Sequence, residues 1–195
     1  MTHSVERPLL FLDVDGPLIP FGASPGRLQA PASGPGAFSD EGNPLLGRLD
    51  RAVGPRLMAL GCDLVWASTW MEEANESVAA RIGLPRLPVV EWPEPSTDVG
   101  PHGLHWKTRP LVEWAGRRPF IWVDDEISAV DRLWVAAQHP GPSLLHRVDP
   151  AKGLTGADFS ELARWLRTEV PGRARWESPG DEARWESPGD EEGTS

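Results

Sequence analysis

Two carboxylates, Asp13 and Asp15, stand at i and i+2 directly after the apolar run Leu9-Leu10-Phe11-Leu12, and Gly16 follows them. Strand side chains alternate in direction, so the pair shares a face if strand geometry continues to position 15. Like charges that close repel each other and resist dehydration. A fold tolerates them where a cation sits between them or one carries a proton. Three further groups suit the same chemistry. The apolar run Leu64-Val65-Trp66-Ala67 ends in the hydroxyls of Ser68 and Thr69. Lys107 follows His105-Trp106, and among 19 basic residues the only other lysine is Lys152. Phe120-Ile121-Trp122-Val123 ends in the adjacent carboxylates Asp124 and Asp125. All four groups stand at strand ends or in neighbouring turns, where carboxylates, hydroxyls and an ammonium can carry chemistry and the carboxylates can share a divalent cation. Taken singly, Ser68 or Thr69 also suits a helix cap, Asp124 or Asp125 a cap for the following helix, and Lys107 a surface charge. Capping alone does not produce the four together in this order.

The elements that must position these groups are short. Pro8 to Val14, Asp63 to Ala67, Leu87 to Glu91, Phe120 to Val123 and Ser143 to Val148 read as buried strands. Between them, helical spacing runs over Pro44 to Leu60, Glu72 to Ile82, Thr108 to Ala115, Ile127 to Ala137 and Ala157 to Val170. Asn43-Pro44 suits a cap and first turn, and Gly54-Pro55 is expected to break or kink the helix it starts. Strands alternating with helices predict an α/β fold, a Rossmann-like parallel sheet of about five strands with helices on both faces. Ligands in such sheets bind at the carboxyl ends of the strands, and the polar residues above fall there.

Residues 16–42 are rich in Pro, Gly, Ala and Ser without a sustained period, and read as a flap or loop over the site. Ala174 to Glu182 (ARWESPGDE) repeats unchanged as Ala183 to Glu191. A polar tandem with Pro-Gly in each unit cannot bury a core, so residues 171–195 read as a disordered acidic tail and residues 1–170 as the catalytic domain. The net charge of −10 argues against a broad basic surface for nucleic acid, without excluding a local patch, and suits a cation site. No run approaches a membrane span, no signal-peptide pattern opens the chain, and the single Cys62 cannot form an internal disulfide. The expected compartment is therefore the cytoplasm, and no segment marks a stable protein partner.

The order of the four groups resembles the haloacid dehalogenase-like (HAD) superfamily of phosphohydrolases, whose motifs are a strand ending in DxD, a strand ending in Ser or Thr, a Lys, and a strand ending in an acidic pair. The likeness spans about residues 8–148. Trp66-Ala67-Ser68-Thr69-Trp70, His105-Trp106-Lys107-Thr108-Arg109-Pro110 and Trp122-Val123-Asp124-Asp125-Glu126 resemble, more narrowly, the HAD domain of Swiss Army Knife RNA repair proteins. The resemblance implies Mg²⁺ as cofactor and Asp13 as a nucleophile that forms an aspartyl-phosphate. It implies Asp15 as general acid and then base, and Ser68 or Thr69 with Lys107 holding the phosphoryl oxygens. Asp13, the backbone carbonyl of Asp15, and Asp124 or Asp125 would hold the metal. Pro17 departs from the family pattern, which has Thr or Val there, and restricts Gly16.

HAD enzymes of small metabolites often carry a folded cap between the first motifs. The intervals from Asp15 to Ser68 and from Ser68 to Lys107 leave no room for one. By family analogy an open site suits a large substrate such as a nucleic-acid end or a phosphoprotein. Trp70, Trp92 and Trp106 could stack on a base, at roughly 1–3 kcal/mol each, or could wall the site. His102 and His105 could touch a phosphate or lie exposed in loops, and Asp131 could add a carboxylate or lie on a helix surface. The alternatives are a small-nucleotide phosphatase and a HAD fold retained as a non-catalytic binding module. A phosphoryl-accepting receiver domain uses similar groups in a different chain order.

Overall fold

The computed structural model describes residues 6–21, 44–92 and 103–170. Most of the expected flap, the Asn43 cap, His102 and the repeated tail lie outside these residues. Four strands form one parallel sheet: β1 (Leu9–Leu12), β2 (Asp63–Trp66), β3 (Phe120–Asp124) and β4 (Ser143–Arg147). Their spatial order is β2-β1-β3-β4. β1 pairs with β2 from Leu9↔Asp63 to Leu12↔Trp66, and with β3 from Leu9↔Phe120 to Leu12↔Val123.

Alternation along the buried strands divides the core in two. Leu10, Leu12, Leu64, Trp66, Ile121 and Val123 pack on one face with α1 (Val53–Ala59), α2 (Ala80–Ile82) and α5 (Gly156–Glu169). Leu9, Phe11, Val65, Phe120 and Trp122 face α3 (Thr108–Ala115) and α4 (Ala129–Gln138) on the other. Apolar residues at both parities are what a sheet covered on both faces requires. Among the described residues there is no second sheet, and no helix is long and apolar enough to cross a membrane.

Two elements differ from expectation. Leu87 to Glu91 makes only an isolated bridge, Trp66↔Val89, at the edge of β2. Trp66 N–H donates to Pro88 O and Val90 N–H to Trp66 O, both at 2.9 Å, but Pro88 has no N–H with which to extend a ladder. The helix expected over Pro44 to Leu60 divides into a 3₁₀ turn (Pro44–Arg48) and α1. The break precedes Gly54-Pro55 because Pro55 sits in the first turn of α1, where its missing N–H costs nothing. Gly54 is required there: a Cβ would lie 1.8 Å from the Ile82 carbonyl oxygen. A π-helical turn (Ala74–Ala79) leads into α2, which stops at Gly83 in the left-handed region.

The chain steps from β1 outward to β2, then crosses over β1 to β3 and continues outward to β4. The direction of winding therefore reverses between β1 and β3. In an open parallel sheet that reversal opens a crevice at the carboxyl ends of the two strands, and here those ends are the positions of Asp13 and Asp124.

Candidate active site

Asp13 follows the last residue of β1 and is buried, with 6% of its surface exposed. One carboxylate oxygen accepts from the Val14 N–H at 2.8 Å, and the other pairs with Lys107 Nζ at 2.9 Å. Lys107 Nζ also pairs with Asp124 at 2.8 Å, so one buried ammonium bridges the ends of two adjacent strands. Trp122, two residues before Asp124 and on the same strand face, donates its indole N–H to that carboxylate at 3.2 Å. Asp125 follows β3 and is largely buried. One oxygen from each of Asp13, Asp124 and Asp125 lies within 4.8 Å of the other two.

The charges in this group do not balance. Burial and the nearby Asp124 push the Asp13 pKa up to about 6, against the pull of Lys107 and a hydrogen bond from Ser68. Burial and Asp124 also raise Asp125. Burial pulls Lys107 down, but Asp13 and Asp124 outweigh it and hold the ammonium above its ordinary range. Three buried carboxylates share one permanent cation, and the donors are all hard oxygens. That set fits a hard divalent cation such as Mg²⁺.

Asp15 and Gly16 form a tight turn. Gly16 has φ of 83°, its N–H donates to Ile19 O at 3.1 Å, and Leu18 and Ile19 both donate to Val14 O at 3.0 Å. The turn thus closes around Pro17 without needing an N–H there. Gly16 lies against the acidic group: a Cβ would sit 2.5 Å from Asp125 Oδ1. The Asp15 carboxylate is not part of the Asp13–Asp124–Asp125 group; it accepts from the Trp70 indole N–H at 2.9 Å.

The turn after β2 separates the two hydroxyls. Ser68 is fully buried and bonds Asp13, whereas Thr69 is exposed. Trp70 packs its ring against the core beside β2, and Trp92 donates to Ser68 O at 3.1 Å. Trp106 is half-exposed, edge-on to Trp92 with centroids 4.8 Å apart, and its ring centre lies 5.6 Å from Lys107 Nζ.

Lys107 reaches the site because the turn before α3 is clamped. The Lys107 N–H donates to His105 Nδ1 at 3.2 Å, which leaves the proton on Nε2, 3.0 Å from Glu126. Asp131 is neither a further site carboxylate nor a helix-surface charge. It is fully buried and accepts from the His105 N–H (2.8 Å), Thr108 Oγ1 (2.6 Å), and the N–H (2.8 Å) and hydroxyl (2.6 Å) of Ser128. Ser128-x-x-Asp131 is the spacing of a capping box, so this part of the clamp was readable in the sequence. The contributions of Trp70 and Trp122 had a weaker signal, an indole two residues from a site hydroxyl or carboxylate.

The model of the HAD domain in Swiss Army Knife RNA repair proteins matches residues 9–159. No curated protein and no solved structure gives a significant match.

Proposed function

From the premise that the chain belongs to the family of HAD domains in Swiss Army Knife RNA repair proteins, we propose that it is a Mg²⁺-dependent phosphohydrolase acting through an aspartyl-phosphate on nucleic-acid ends. The observation that carries the reading is the buried meeting of Asp13, Asp124 and Asp125 with Lys107 where the winding reverses. Asp13, Asp124, Asp125 and the backbone carbonyl of Asp15 would hold the cation, which when bound offsets the repulsion between a phosphate dianion and these carboxylates.

In the first step an Asp13 oxygen attacks phosphorus, and the bond from phosphorus to the leaving oxygen breaks as Asp15 gives that oxygen a proton. In the second, Asp15 takes a proton from water whose oxygen attacks phosphorus, and the bond to Asp13 breaks to return its carboxylate. Lys107 and Ser68 neutralise and orient the phosphoryl oxygens through the in-line transition state. Ser68 is assigned that role over Thr69 because it is buried on Asp13. Asp124 is assigned to hold Lys107 as well as the metal. The exposed face of Trp106, beside Lys107, is offered to the leaving group, and His105 holds the turn that carries the lysine. Residues 1–170 are assigned the activity, so truncation after Val170 leaves turnover unchanged.

The test is phosphate release from 3′- and 5′-phosphorylated oligonucleotides, mononucleotides and an aryl phosphate, with Mg²⁺ and with EDTA, and with Asp13→Asn alongside. Preferential release from an oligonucleotide end, lost in EDTA and in the variant, supports the reading. Release from mononucleotides alone moves the protein to nucleotide turnover. Release from none of them by a protein that binds phosphorylated ends makes it a binding module.

A further inference from the structure

We propose that Trp70 is a positioning residue for Asp15: its indole N–H fixes the carboxylate that exchanges the proton with the leaving group. The inference rests on the assignment of Asp15 as general acid and base. Asp13 has Lys107, Ser68 and the Val14 N–H to orient it. For the Asp15 carboxylate the corresponding contact is the indole of Trp70, at 2.9 Å and from a residue 55 positions away.

The contact is built from both sides. On the Asp15 side, the Asp15↔Ile19 bridge and the Gly16 N–H bond to Ile19 O fix the backbone that carries the carboxylate. On the other side, the Trp70 ring is half-buried against the core, which limits its rotation. The turn beneath it is unusual. Met71 lies in the left-handed region at φ of 49°, where a residue with a side chain costs of order 1–3 kcal/mol. The Trp70 N–H donates to Ser68 Oγ at 3.4 Å, and the Met71 N–H to Ser68 O at 3.3 Å. One tight turn therefore aims the Ser68 hydroxyl at Asp13 and the Trp70 indole at Asp15. The nucleophile and the proton carrier are registered to each other through the end of β2.

A ring packed against the core with its N–H on a carboxylate has a different task from the half-exposed Trp106. Trp70 acts on the proton, so its loss should depend on how much the leaving group needs one. Phenoxide needs protonation far more than 4-nitrophenoxide, and the two esters are close in shape. General acid catalysis contributes typically 10²–10⁴-fold, and losing only its aim forfeits part of that.

The experiment measures kcat/KM, which covers the steps through the first irreversible phosphoryl transfer, for phenyl phosphate and 4-nitrophenyl phosphate with Mg²⁺. The proteins are the full chain, Trp70→Phe, Asp15→Asn and the double variant. Trp70→Phe is expected to lose about 10–100-fold on phenyl phosphate and less than about 3-fold on the nitrophenyl ester. It should add nothing in the Asp15→Asn background. Equal losses on both esters, or a full further loss in the double variant, overturn the proposal while leaving Asp15 in its role. If Asp15→Asn itself does not discriminate between the esters, the assignment of Asp15 fails, and this inference fails with it. Should Trp70→Phe not fold, a benzothienyl side chain at position 70 keeps the ring volume, removes only the N–H, and must give the same selective loss.

Discussion

Asp13 and Asp131 are both buried carboxylates, with 6% and 0% of their surface exposed, yet their surroundings treat them in opposite ways. Burial alone would raise Asp131, but hydrogen bonds from Ser128, Thr108 and His105 outweigh it and hold the group below its ordinary range. Asp13 has fewer donors and a second carboxylate nearby, and its pKa rises to about 6. The difference separates holding the fold from doing chemistry. Where a carboxylate only has to hold the Lys107 turn against α4, the chain surrounds it with donors. At the carboxyl ends of β1 and β3 it crowds three carboxylates around one ammonium, a deficit that a cation and a phosphoryl group can complete.

Asp13, the proposed nucleophile, carries the largest expected effect. Asp13→Asn should lower phosphate release by about 10⁴-fold or more in steady-state assays, the scale seen when a covalent nucleophile is removed. The same substitution should stabilise the protein when no divalent cation is present. A raised carboxylate contributes stability below its unfolded pKa of about 4, and that contribution is lost as pH rises through about 6. Above that pH the variant should exceed the parent by up to about 3 kcal/mol in denaturant titrations with EDTA. A variant less stable than the parent under those conditions would mean that the acidic group is already compensated.

Next comes the close approach at Gly16. Gly16→Ala puts a Cβ 2.5 Å from Asp125 Oδ1 and asks a side chain to take φ of 83°. Displacement on that scale should cost about 10²-fold in kcat/KM and weaken Mg²⁺ affinity by calorimetry.

Asp131→Asn should act in the opposite sense from Asp13→Asn. It should destabilise the protein at neutral pH by about 1–3 kcal/mol, because buried donors lose a charged acceptor. The stability Asp131 gives is present above its unfolded pKa and fades as pH falls through its lower folded value, so the gap between parent and variant should narrow in acid melts. The smallest effect belongs to the exposed hydroxyl. Thr69→Val should change stability by within about 0.5 kcal/mol and leave turnover near the parent's, whereas Ser68→Ala should impair it.

The fold was readable where local pattern decides it. The apolar runs at β1, β2, β3 and β4 end within a residue or two of where the strands end. Asp13, Asp124 and Asp125 meet because a parallel sheet gathers the carboxyl ends of its strands. Leu87 to Glu91 misled because apolar content does not report a missing donor, and Pro88 stops the ladder. Ser68 and Thr69 could not be told apart, since a side chain's direction beyond a strand depends on the turn, here one with Met71 in the left-handed region. The Trp70–Asp15 contact joins residues 55 apart, so the sequence marks Trp70 only as an indole two residues past Ser68 and does not pair it with Asp15.

The most direct test of the central claim is to quench a single turnover in acid with an aryl phosphate and Mg²⁺, then map the phosphoryl group by peptide mass spectrometry. A phosphoryl group on Asp13, absent in Asp13→Asn and in EDTA, is the result this account predicts. Phosphate released at the full rate with no phosphoryl group trapped on Asp13, or with it on another residue, would contradict it.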